Sequence, residues 1–409
     1  GCRPRWLAGK TFDALTFEKP LATGPYLIES YDTGRNITFR RNPRYWAADL
    51  PVRRGMYNFE RIVYRMYKDE VARLEGFKAG EFDFNTEYSA KNWVRGYIGP
   101  RFRSGEIFKG ELAQANTSAM QGFVFNLRRP QFRDVRVRQA LGLAMDYEWM
   151  NRQIFYGQYQ RIYSYYNNSR MAATGLPDAA ELALLKGLAA QPDPVVFGPA
   201  PVPPRTDPPS SLRANLQKAA ALLREAGWTW RDGALRNGQG GVFEVELIDD
   251  QGSMGRVVAP LARNLAKLGV KLNYRQMDHA LYEKRLENFE FDMTSIRFGD
   301  SETPGSELLD RFASKAADTP GSSNLWGIKD PVVDELVGRI VKVRSRAQLE
   351  TAVKALDRVL LHGHYVIPHW YSSTHRVAWW NRFGVPPKLP LYYQAGPWFV
   401  THAWEVRPR

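Results

Sequence analysis

The sequence predicts an α/β protein with a mixed or parallel sheet, and three observations carry that prediction. Between Ser211 and Phe298, helix-like and strand-like stretches alternate in a β-α-β-α-β order, as strands joined by crossover helices do. The last of these strands, Phe291–Phe298, runs into an acidic, glycine-containing turn, Gly299-Asp300-Ser301-Glu302. Open α/β sheets ordinarily take their ligands just past the carboxyl ends of their strands. The chain of 409 residues is long enough for two or more domains with proper cores.

Taken in order, the chain first gives a turn at Ala22-Thr23-Gly24-Pro25 and then two alternating runs, 26–31 and 36–41, separated by Asp32-Thr33-Gly34. They read as a hairpin, which Pro43 closes because it cannot donate to a ladder. A strand is predicted at 60–66, a helix at 69–79 ending on Gly80, and a short strand at 82–84. The apolar run Gly122–Asn126 predicts another strand. A helix over 134–156 follows, with Val137, Leu141, Ala144 and Ile154 as its inner stripe and Gly157 as its end. The proline-rich stretch 192–210 excludes regular helix or central strand and reads as a surface crossing within a domain.

The alternating region then gives a helix at 211–226, capped by Ser211 and stopped by Gly227. Strands are expected at 242–248 and 270–276, with helices at 255–268 and 278–288 between and after them. Beyond the acidic turn, Asp330-Pro331 starts a helix to about 341, and a second covers 346–361. Strands at 365–370 and 376–380 precede an irregular, proline-containing tail, and there is no internal repeat.

Composition excludes several functional classes. The net charge of +14 invites a nucleic-acid or anionic partner, but the basic residues are scattered, as at Arg133, Arg136, Arg138, Arg152, Arg161 and Arg170. With no recognition motif beside them, no nucleic-acid partner is expected. No stretch approaches the roughly 18 apolar residues of a membrane span. The single cysteine, Cys2, excludes an intrachain disulfide and is poorly placed for a nucleophile. Aromatic residues make up 13% of the chain, enough to furnish a cleft as well as a core.

No nucleophile elbow, phosphate loop or HExxH motif is present, so the chain is read as a binding protein rather than an enzyme. His362, His364 and His369, with His375 nearby, are compatible with a metal site, although no cysteine or carboxylate completes a ligand set, and no cofactor is expected. At the acidic turn two readings stand side by side. A helix over 305–313 favours acids at its start, which accounts for Glu302, and a bound ligand's cationic group would account for Asp300.

Several segments together resemble family 5 extracellular solute-binding proteins, which serve ABC importers. They are Thr23-Gly24-Pro25-Tyr26, Arg41-Asn42-Pro43-Arg44-Tyr45-Trp46, Ala79-Gly80-Glu81-Phe82-Asp83, Phe125-Asn126 and Asp134-Val135-Arg136-Val137-Arg138-Gln139-Ala140-Leu141. Leu222–Trp228, Leu265–Val270 and Phe291-Asp292 extend the match in the family's order. Met145–Asn151, Phe155–Tyr159 and Ala173–Pro177 are similar to a narrower, YejA-type branch, associated with oligopeptides and peptide antibiotics of the microcin C kind.

The resemblance implies a periplasmic-binding-protein-like fold of class II, two lobes joined by a hinge that close on a ligand. It divides the chain into 1–121 (part of lobe I), 122–370 (lobe II) and 371–409 (a return to lobe I), with the strands at 122–126 and 365–370 as hinge crossings. The family pattern also places the start of the chain inside the mature protein, so the signal peptide and about half of lobe I are expected to be missing.

The implied activity is capture of oligopeptides or peptide-like compounds in the periplasm by a monomer that meets ABC permease subunits. The alternative is a metal or nickel-type chelate binder on the same scaffold. In peptide-binding relatives an Asp after the corresponding strand pairs with the peptide's ammonium, and by position that residue is Asp300. Arg297-Phe298-Gly299 departs from the family's usual Trp-containing run, so Arg297 is expected to meet either Asp300 or a ligand carboxylate. Phe298, Ser301, Glu302, Trp326, His369 and Tyr371 complete the expected cleft, with Asn126 at the hinge.

Overall fold

Strand and helix alternate in the computed structural model much as the pattern requires, over residues 17–250, 252, 254–299 and 301–406, which the structure describes. Cys2 and Asp300 lie outside the described residues. The chain divides into two units, one formed by residues 1–114 and 374–409 and the other by 115–373. The boundaries expected at 121/122 and 370/371 therefore fall at 114/115 and 373/374, and the strands taken for hinge crossings pair inside the second unit.

The second unit is built on a five-stranded mixed sheet. Its strands are β1 (Gln121–Phe125), β2 (Glu244–Asp249), β3 (Lys271–Gln276), β4 (Met293–Arg297) and β5 (Val366–Pro368), in the spatial order β3-β2-β4-β1-β5. β2 runs parallel to both β3 and β4, while β1 is antiparallel to β4 and to β5. The parallel part comes from crossover helices: Gly255–Ala266 joins β2 to β3 and His279–Glu287 joins β3 to β4. Val257, Val258, Leu261 and Leu265 recur at helical spacing on the first of these and are all buried. In β1 a glycine is required at 122, because a Cβ there would be driven into the Ile367 carbonyl and the Val366 side chain of β5.

The helix expected over 134–156 is two helices, Val135–Leu143 and Tyr147–Gln153. No glycine or proline marks the break, but Asp146 starts a new helix by accepting a hydrogen bond from the Trp149 amide. Helices Leu212–Glu225, Pro331–Ile340 and Arg346–His362 form where expected, each with a Ser or Asp cap. The helix expected at 305–313 is the shorter Glu307–Phe312.

In the first unit, Tyr26–Asp32, Asn36–Arg41 and Arg61–Arg65 form an antiparallel sheet. A second sheet has the returning strand Thr374–Trp380 at its centre, flanked by Ile107–Ala113 and by Phe84–Thr86. The short strand predicted at 82–84 is thus shifted toward 86. Behind this sheet, Phe84 stacks on Phe399 at 4.3 Å, and Val377, Trp379 and Trp398 are buried around them.

Candidate functional site

Antiparallel pairing gathers three chain segments at one end of the second unit's sheet. Arg297, the last residue of β4, lies opposite Gln121, the first of β1, and Pro368, the last of β5, lies opposite Gly122. Beyond the ladder, the Phe298 amide donates to the Met120 carbonyl at 3.0 Å, and the His369 amide to Gln121 at 2.8 Å. Segments 117–121, 297–302 and 369–371 therefore share one rim, at the carboxyl end of β4.

Arg297 is exposed on this rim. With Phe298, Gly299 and Arg311 it lines a concavity of about 640 Å³, to which Glu283 and Glu287 contribute carboxylates and Lys284 a further cation. Phe298 is only 7% exposed. Its ring stacks on Trp326 with centroids 4.5 Å apart, and the Arg311 guanidinium carbon sits 5.4 Å from its centroid. The concavity thus has an aromatic floor and opposite charges on its walls, able to pair with an ammonium and with a carboxylate.

The remaining expected residues divide by burial. Ser301 accepts a hydrogen bond from the Thr303 amide and shapes the turn. Glu302 is not a helix-start acid. Its carboxylate accepts from both the amide and the hydroxyl of Thr117, the latter at 2.9 Å, and its carbonyl accepts from Arg346. It staples the turn to the segment leading into β1. Trp326 is fully buried between Phe298 and Phe312, so it is core and presents no face to a ligand.

His369 is also fully buried, edge-on to Phe123 and stacked on Trp370 at 4.7 Å. Burial, and secondarily the charge of Arg161, push its pKa down to about 3, which keeps the ring neutral. Tyr371 is half-buried and donates its hydroxyl to Gln160 at 2.9 Å. Asn126 lies within the second unit rather than at its boundary. Its side chain donates to the Phe289 and Phe291 carbonyls and accepts from Arg128, tying the end of β1 to the start of β4.

The histidines compatible with a metal site do not form one among the described residues. Among the described residues no group of three or more His, Cys, Asp or Glu side chains is placed to hold a metal ion. His375 belongs to the first unit, where its Nε2 lies 2.9 Å from the Tyr393 carbonyl oxygen, while His369 is enclosed in aromatic rings in the second. Nothing in the sequence singles out Arg311. It sits in an ordinary short helix, and only the fold brings it over Phe298.

The model of bacterial extracellular solute-binding proteins, family 5, matches residues 6–320 of the chain. A probable peptide-binding protein YejA of Agrobacterium fabrum is 38% identical over 380 residues, covering 92% of this chain and 62% of its own length. The uncharacterized YejA of Escherichia coli is 36% identical over 389 residues, covering 95% of this chain and 64% of its own. The chain therefore spans less than two thirds of the length of these curated relatives. Among solved structures, the oligopeptide-binding protein AppA of Bacillus subtilis, in complex with a nonapeptide, superposes with a TM-score of 0.67 at 18% identity. That likeness covers 94% of this chain and 66% of AppA, and it shows a shared fold. No helix among the described residues is long and apolar enough to cross a membrane.

Proposed function

Because the chain belongs to the bacterial extracellular solute-binding proteins of family 5, and within them to the YejA type, we propose that it is the substrate-binding component of an ABC importer. It captures oligopeptides or peptide-like compounds in the periplasm as a monomer and delivers them to the membrane permease. The activity is binding without turnover. One observation carries the reading to peptides in particular: the concavity beyond β4 is lined by Glu283 and Glu287 as well as by Arg297 and Arg311, with Arg311 over the Phe298 ring. A peptide carries an ammonium, a carboxylate and a backbone between them, and charge pairing holds those without reading side chains.

In this reading Asp300 anchors the ligand's ammonium and Arg297 takes a ligand carboxylate, with Ser301 beside them. Phe298 supplies the floor, and Trp326, His369 and Glu302 hold the rim in place from within. Calorimetric titration with a pool of short peptides tests it. Saturable binding is expected, weakened at least about tenfold by Asp300→Ala and by Arg297→Ala, the loss of one charge-assisted contact each. No heat from any peptide, or unchanged affinity in both variants, overturns the reading.

A further inference from the structure

A second cavity of the second unit, about 210 Å³ in volume, shares no lining residue with the concavity beyond β4. Most of its wall is apolar, from Leu143, Leu222, Leu360 and Val366, and a run of prolines, Pro201 to Pro204 with Val202 between, closes one side. Its polar lining is one-sided in charge. Arg138, Arg161, Lys218 and His364 reach it, and no Asp or Glu does.

Two of these cations, the buried Arg138 and the part-exposed Arg161, differ in what their guanidinium groups do. Arg138 spends its guanidinium on the carbonyls of Gly363, Phe132 and Arg133. Arg161 has none of this: its three guanidinium nitrogens are shielded from solvent and have no hydrogen-bond partner among the described residues. The hydroxyl of Tyr165, another lining residue, is likewise shielded and has no partner among the described residues. Arg161 does lie 5.0 Å from the Tyr147 ring centroid, which offsets part of its charge but satisfies no N–H. Glu148 is the acid that acts on it electrostatically, and that carboxylate is already taken by the Thr206 amide and hydroxyl at 3.0 and 2.7 Å. A buried cation with unmet donors is costly, and an acceptor brought to it removes the cost.

We propose that this cavity is a separate binding site for a small monocarboxylate with an apolar body, whose carboxylate meets Arg161 and whose hydrocarbon lies along the leucine and proline walls. The guanidinium fork matches a carboxylate's two oxygens. The apolar lining selects against bare inorganic anions, and a charged lining that is basic throughout selects against amines and zwitterions.

The test titrates octanoate, acetate and inorganic phosphate into the whole chain and follows the heat. One saturable octanoate site is expected, with acetate at least tenfold weaker and phosphate giving no binding. Arg161→Met is expected to weaken octanoate at least tenfold. Gly142 also lines the cavity, and a Cβ built there meets nothing within 4 Å, so Gly142→Leu has room at its first carbon and is expected to abolish octanoate binding by occupying the space. Circular dichroism confirms that both variants are folded, and their peptide titrations are expected to match the parent's. The absence of a saturable octanoate site, binding undiminished by either substitution, or acetate or phosphate bound as tightly as octanoate overturns the proposal.

Discussion

His369 shows how a residue type that suggests chemistry ends up doing structural work. Its imidazole is enclosed by Phe123 and Trp370, and its pKa falls from 6.5 to about 3 through burial and then through Arg161. Below pH 6.5 the unfolded chain takes up a proton that the folded chain refuses until far lower pH, so this group withdraws stability as the solution is acidified. Between pH 7.5 and 5 the loss amounts to about 2 kcal/mol. His364, pushed down to about 4, acts in the same direction. His369→Phe keeps a flat ring between Phe123 and Trp370 and is expected to remove this part of the acid sensitivity. Urea unfolding at the two pH values measures it. A variant whose stability falls as steeply as the parent's would show that the histidine is not held neutral. Nothing in the sequence separates such a histidine from a ligand-facing one. The same holds for Trp326, whose place in the core is decided by Phe298 and Phe312, and for Arg161, one among many scattered arginines.

At the scale of elements, what could be read in advance was whatever local patterning controls. Ser211, Asp330 and Ser345 cap their helices with their own side chains, and the crossover helices keep their apolar faces. The break at 144–146 escaped because Val137, Leu141 and Ala144 keep helical spacing up to it and no glycine or proline lies between 143 and 156. Only Asp146 marks the restart, and it does so through the Trp149 amide, with the hydroxyl of Thr206, distant in sequence, lying between its carboxylate and that of Glu148. Asp146→Ala is therefore expected to cost about 1 kcal/mol, the usual worth of an N-cap, while Asp146→Asn keeps an acceptor and costs less. Thermal unfolding of the pair provides the check; equal destabilisation by both would mean that the cap does not hold the second helix. The sheet ends that make the site were partly readable, since the run to Phe298 and the turn after it are local. The closing of Thr117 onto Glu302 was not, because the contact joins residues far apart in the chain.

For the whole molecule, the order of the chain sets which part is able to fold alone. The second unit is one continuous stretch, 115–373, and every strand of its five-stranded sheet comes from within it. Its largest core runs from Ala119 to Val366, with Leu356, Leu360, Trp326 and Phe312 at or near full burial. The first unit is discontinuous. Its second sheet has Thr374–Trp380 in the middle, so that Phe84–Thr86 and Ile107–Ala113 pair with that strand and not with each other. A chain ending at residue 373 lacks this strand and also the helix Ala395–His402, which carries Trp398 and Phe399 into the core behind it. Both flanking strands would then be left with unpaired edges and an exposed apolar face. Truncation after Ser373 is thus expected to unfold the first unit and spare the second, giving under limited proteolysis a resistant fragment close to 115–373 and circular dichroism of a mixed α/β fold. Uniform digestion of the truncated chain would show instead that the continuous unit depends on its discontinuous neighbour, and would refute the assignment of separate cores.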